Sequence, residues 1–406
     1  MLEADRSHMS LRIPVAILLV ALFTVSNSQG QTTGVNDKAP TDDRPLHMLV
    51  LGDSIMWGQG LRRENKFWWR VKNWLQEKTG RAVLEKIEAH SGAIIGSGEP
   101  YPSLFGSPDG EVNLETPTIN DQIDDAVKYY VDPSRVDLIL VDGCINDVDV
   151  RNLLNASASL ESLSTEIGAK CGGRMETLLR RITTTFPNAH VVVTSYYRIV
   201  SKKSENNSFT RLLVKKLNSQ NPDARRMTDE EMLERLISIS EEWYRRSTSK
   251  LAQAVAAANA ELQRNASNQK ILFAEIQFAP EHAFGAPDTL LWNFKFGSTN
   301  LSGLRKAIVI LTLGTAAYKA NDEVRESRGK SCKETFGRER SGKKETDPEK
   351  QYREIKDLAC RYASLGHPNK MGALIYTEAI KGQLQWLMTT PGWLRKPTAR
   401  EPVPAN

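Results

Sequence analysis

A serine that follows a short apolar run and opens the next segment is placed for nucleophilic chemistry. Gly52-Asp53-Ser54-Ile55-Met56-Trp57-Gly58 has that arrangement. There the hydroxyl projects into the crevice beyond a strand, and the serine's backbone N–H, at the start of a helix, can bind a developing oxyanion. A serine alone is a weak nucleophile and needs a base beside it. Beyond the first thirty residues the chain offers five histidines: His47, His90, His190, His282 and His367. His47 and His190 open strands at the far end of the sheet, which leaves His90, His282 and His367. His90 directly precedes Ser91-Gly92 and reads as a support for that loop. His282, within Pro280–Asp288, reads equally as a cleft residue and as a histidine hydrogen-bonded inside its loop. Trp57 is close enough to Ser54 to touch a substrate, whereas Asp53 and Asp147 read as turn or cap residues. Other motifs fail. The Gly337–Lys344 stretch imitates a phosphate loop but lacks the final Ser/Thr and a leading strand, and Ser247-Thr248-Ser249-Lys250 lies in a charged helical surface. Met56 breaks the G-x-S-x-G elbow, and neither H-E-x-x-H nor paired C-x-x-C spacing occurs.

The elements that must position these residues are short apolar strands alternating with helical stretches. His47–Leu51 ends at Gly52 and reads as a buried strand; Ala82–Ile87, Arg135–Val141, His190–Ser195 and Lys270–Ile276 follow. A helix is expected from Glu64 to Lys78, closed by Gly80. Such alternation implies βαβ units and a mostly parallel sheet covered on both faces, with functional groups in loops beyond the carboxyl ends of the strands. Two segments read as additions to this frame. Met227–Arg264 has the composition of a surface helix or pair of helices, and Asn321–Lys356, densely charged with both signs, that of a solvated insertion.

Four short blocks, three of them at successive strand ends, give the chain a resemblance to the SGNH family of GDSL-type esterases and lipases. They are Gly52-Asp53-Ser54, Ser91-Gly92, Asn146-Asp147 and His367-Pro368-Asn369. The resemblance implies a three-layer α/β sandwich with a mostly parallel, flavodoxin-like five-stranded sheet over residues 46–390, carrying helical insertions at about 202–264 and 296–356. It implies that Ser54 attacks an ester carbonyl with His367 as base. The backbone N–H groups of Ser54 and Gly92 and the side-chain amide of Asn146 would hold the oxyanion, and no metal or organic cofactor would be needed. Two departures stand out. Cys144 occupies the place of the glycine in the family's G-x-N-D block, and Ser364 stands where the family has an aspartate three residues before the histidine. In a serine–histidine–acid triad the acid fixes the imidazole tautomer and stabilises the imidazolium. Here Ser364, a backbone carbonyl or a borrowed carboxylate such as Asp288 or Asp357 would have to orient the ring.

The chain has 406 residues, 54 Lys+Arg against 49 Asp+Glu, and four cysteines. A net charge of +5 over that length indicates neither a nucleic-acid footprint nor a polybasic membrane arm. Ile13–Val25 is apolar but too short to span a bilayer; with Arg12 before it and Ser26 and Ser28 after, it reads as a secretory signal, residues 1–30, followed by a flexible leader to about residue 45. Residues 391–406 read as a tail. Export permits disulfides, and the four cysteines allow three pairings. The expected partner is a lipid, acetyl or carbohydrate ester, acted on outside the cytoplasm. The rivals are an O-acyltransferase of the same fold and a secreted binding protein that has lost turnover.

Overall fold

A computed structural model describes residues 44–96, 110–112, 117–204, 218, 221–296, 318–336, 356–357 and 359–389. The expected signal, nearly all of the leader, the phosphate-loop mimic and the tail lie outside these residues. The chain builds a sheet from β1 (Leu46–Leu51), β2 (Val83–Ile87), β3 (Leu138–Val141), β4 (His190–Thr194) and β5 (Ile271–Ala274). Their order is β2-β1-β3-β4-β5 and every pairing is parallel. This is the strand order of flavodoxin-like sheets. Met48–Leu51 and Leu138–Val141 are buried on both faces, which is why these strands read as unbroken apolar runs rather than alternating ones. β3 starts three residues later than expected, because Asp132 caps Ser134 and folds Pro133–Arg135 into a 3-10 turn.

Two sets of helices cover the sheet. α2 (Phe67–Thr79) packs on α10 (Lys370–Met388), which also lies on β4 and β5. The other cover holds α3 (Ile119–Tyr130), α7 (Met175–Thr185) and α8 (Asp229–Arg264). Between β3 and α7 the chain makes α4 (Ile145–Val148), α5 (Val150–Leu153), α6 (Leu160–Ile167) and a π-helical turn at Gly168–Arg174. One-turn α1 (Ser54–Trp57) follows β1. Disulfides join Cys144 to Cys171 and Cys332 to Cys360.

Both supposed additions need correcting. α8 is a single 36-residue helix and the crossover between β4 and β5, so part of it belongs to the frame. It buries Leu236, Ile239, Trp243, Leu251, Ala254 and Val255, a stripe masked in sequence by its many charged neighbours. Asn259 brackets Ile271 at the start of β5, and Tyr244 reaches Glu275 just beyond its end. Higher up, Ser240 accepts the N–H groups of Ile199 and Val200, and Arg235 donates to the carbonyls of Ala156 and Ala158. Ahead of the charged segment, β6 (Phe294–Phe296) pairs antiparallel with β7 (Tyr318–Ala320); within it, α9 (Arg325–Phe336) carries a fully buried Arg328. Among the described residues no helix is long and apolar enough to cross a membrane.

Candidate active site

β1 delivers the chain into a turn that only glycine fits. Gly52 has φ +142°, and a Cβ there would come within 2.1 Å of an Asp142 carboxyl oxygen. Gln122, from α3, clasps this residue from both sides: it accepts the Gly52 N–H at 2.8 Å and donates to the Gly52 carbonyl at 2.9 Å. Asp53 then caps α1, its Oδ1 accepting the Ile55 N–H at 2.8 Å. Ser54 is thereby the first residue of a helix, where backbone N–H groups lack intrahelical acceptors.

Some three hundred residues later the chain returns to this point. His367 Nε2 lies 2.7 Å from Ser54 Oγ. The segment bearing it is held by backbone and by a tyrosine. Trp292 N–H donates to the His367 carbonyl (2.7 Å), Gly366 N–H to the Trp292 carbonyl (3.0 Å), and Tyr197 O–H to the Gly366 carbonyl (2.7 Å). Asn369 caps α10 immediately afterwards. For Nε2 to accept the serine proton, the ring must carry its own proton on Nδ1. That atom is buried and has no hydrogen-bond partner. The carbonyls of Leu365 and Ser364 lie near enough to favour the protonated ring, yet neither makes a formed hydrogen bond to Nδ1. Burial dominates and lowers the His367 pKa to about 4; the two carbonyls oppose it, Arg328 adds to it and Asp322 opposes it. The imidazole is therefore neutral at pH 7, as a base must be.

The loops after β2 and β3 are stitched to each other and to Gly52 and Asp53. Gly92 sits at φ +83° in the first of them, where His90 N–H donates to the Gly52 carbonyl and the His90 ring contacts the Ser91 carbonyl. Asn146 donates one amide hydrogen to the Ala93 carbonyl at 2.9 Å, which leaves its second to point elsewhere. Asp147 accepts the N–H groups of Ile95 and Gly96 and pairs with Arg174 at 2.7 Å. The Cys144–Cys171 bridge ties this loop to the π-helical turn.

The remaining candidates have contacts of their own. Trp57 is half-buried; its indole N–H donates to Glu111 at 2.8 Å and the Lys66 ammonium sits over its ring. His282 accepts the Ala279 N–H and packs edge-on to Phe278, so it holds its own loop. Asp288 is exposed and does not reach the Nδ1 of His367. Asp357 pairs with Arg361. Ser364 does not orient the ring either: its hydroxyl donates to Asp322 at 2.8 Å and receives Arg328 at 3.1 Å. Arg328 in turn pairs with Asp322 and Glu111, all three buried. Gln122, Asp142, Glu111, Asp322 and Arg328 are absent from any sequence motif. The signal that could have found Asp142 is its place directly after β3, where the register sets it beside Gly52, the residue before Asp53. Among the described residues no cluster of three or more His, Cys, Asp or Glu side chains could hold a metal ion.

No protein-family model matches the chain, and no curated protein matches it. Among solved structures it is similar to phospholipase A1 from Streptomyces albidoflavus NA297, at 14% identity over 63% of this chain and 89% of that chain (TM-score 0.36). It is similar to an extracellular lipase from Streptomyces rimosus at 12% identity, over 61% of this chain and 88% of that one (TM-score 0.36). A family 3 carbohydrate esterase from Clostridium thermocellum shares 15% identity over 59% of this chain and 83% of that one (TM-score 0.29).

Proposed function

We propose that this chain is an SGNH-type serine hydrolase that cleaves carboxylic esters through an acyl-enzyme. The observation that carries the reading is the 2.7 Å contact between Ser54 Oγ and His367 Nε2, made by residues 313 positions apart. His367 takes the proton of Ser54 as the hydroxyl oxygen attacks the ester carbonyl. The negative charge moves onto the carbonyl oxygen, which the N–H groups of Ser54 and Gly92 and the amide of Asn146 receive. Each such donor contributes about 3 kcal/mol in the transition state. His367 returns its proton to the leaving alkoxide, and a water activated by the same ring releases the acid. Two disulfides fit an oxidising compartment and so an exported enzyme.

A fluorophosphonate probe tests the nucleophile. The native protein is expected to be labelled at Ser54 and the Ser54→Ala variant not at all; equal labelling of both would remove the assignment. A second reading, a binding protein that has lost turnover, draws its support from the lack of an acceptor at His367 Nδ1. Failure of the native protein to hydrolyse p-nitrophenyl acetate would support that second reading.

A further inference from the structure

Two carboxyl groups lie buried beneath the nucleophile, and the steps above use neither. Asp53 and Asp142 are 0% and 1% exposed. They stand just beyond the ends of the neighbouring strands β1 and β3, with Asp142 Oδ1 accepting the Asp53 N–H at 2.8 Å and the two carboxyl groups within hydrogen-bonding reach of each other. Among the described residues no lysine, arginine or histidine forms an ion pair or hydrogen bond with either carboxyl. The titratable groups facing them are Tyr196, Tyr197, Tyr376 on α10 and Asp147 on α4, none of them a cation. Two bare carboxylates in contact without a cation cannot both remain charged out of water.

The hydrogen bonds distinguish the two carboxyl groups as hosts for a proton. Asp53 is supplied with donors on both oxygens, Ile55 N–H on Oδ1 and Tyr196 O–H on Oδ2, each of which favours its anion. The Met56 N–H also lies near the Asp142 carboxyl and favours its anion, but Asp142 Oδ2 is buried and receives no formed hydrogen bond. An oxygen that accepts nothing and faces a carboxylate satisfies itself by carrying a hydrogen. We propose that Asp142 is a neutral carboxylic acid at pH 7 that donates to Asp53, so that a single negative charge, rather than two, lies under the backbone N–H of Ser54 where the oxyanion forms. Burial acts in the same direction, pushing Asp142 well above the usual carboxylate range and Asp53 up to about 6. Asp142 is thus a positioning residue. It fixes Asp53, which caps the helix bearing Ser54, without adding a charge that would repel the intermediate.

The proton can be seen without any assay of activity, although its catalytic consequence rests on the hydrolase reading. In infrared spectra at pH 7, Ser54→Ala and native protein should both show a protonated-carboxyl stretch that shifts in D2O, and Asp142→Asn should lose it. Absence of the band from native protein, or its survival in Asp142→Asn, overturns the proposal. Should Asp142→Asn fail to fold, carboxyl carbon NMR of aspartate-labelled native protein decides. One aspartate protonated at pH 7 supports the proposal, and every aspartate ionised refutes it. In kinetics, Asn can donate to Asp53 and accept its N–H whereas Leu can do neither. Asp142→Asn should hold kcat within about threefold of native while Asp142→Leu falls more than about tenfold. Equal losses would mean that the anion is required and would defeat the inference. A native protein that turns over no ester defeats the hydrolase reading alone, and the infrared band still decides the proton.

Discussion

The imidazole beside Ser54 has no carboxylate partner, and its burial sets its titration. His367 is neutral down to about pH 4, because burial outweighs the nearby carbonyls that favour the protonated ring. The acid limb of kcat/KM is therefore expected near pH 4, well below the 6.5 of a free imidazole. A pH–rate profile with a chromogenic acetate ester checks this; a limb at 6 or above would mean that the ring is solvated or paired. Stability has a matching dependence. A histidine whose folded pKa is depressed binds fewer protons folded than unfolded, so its contribution is present above pH 6.5 and is lost as pH falls from there through 4. Ser54, Gly92, Asn146 and His367 were legible as residues because each falls in a short block of fixed composition. Asp142 and Gln122 were not, since their roles arise from strands and a helix that become neighbours only in the fold.

Among the elements, the loop before α10 shows how a missing acid is not simply restored. Ser364 is fully buried, with Asp322 on its hydroxyl and Arg328 on the same atom, and Gly60 packs against its Cβ. An aspartate there would place a third carboxylate beside an arginine that already serves Asp322 and Glu111. Ser364→Asp is expected to lose on the order of 2–4 kcal/mol in urea unfolding and to gain nothing in kcat. A gain in kcat at unchanged stability would show that the loop can turn the new acid towards Nδ1. The charged run from Asn321 read as solvated because a buried ion-pair network has no apolar period by which to recognise it. The strands were legible for the opposite reason: doubly covered, they carry uninterrupted apolar side chains.

For the molecule as a whole, one covalent tie lies within the main apolar core and the other holds a small separate cluster of Val112, Cys332 and Cys360. Cys144–Cys171 secures the Asn146 loop, and Cys332–Cys360 fastens α9, with its Arg328, to the segment leading into His367. With separations of 27 and 28 residues, each restricts the unfolded chain by about 3.5 kcal/mol on the loop-entropy account. Reduction under non-denaturing conditions is expected to lower the unfolding midpoint in urea, and replacing either pair by serine should lower it in part; an unchanged midpoint would mean that the bridges constrain nothing. Their pairing was not legible, because four cysteines are compatible with three schemes. The α/β frame was, except for α8, whose charged composition reads as an appendage. Its 36 residues run for about 54 Å, while no strand of the main sheet exceeds six residues, or about 20 Å. Since Tyr244 is already level with the end of β5, the turns from Asp229 to Trp243 overshoot the strands on the side where Ser54 sits. The β4–β5 side of the strand ends is consequently flanked by the opening turns of one stiff helix, a parapet pinned through Arg235 and Ser240.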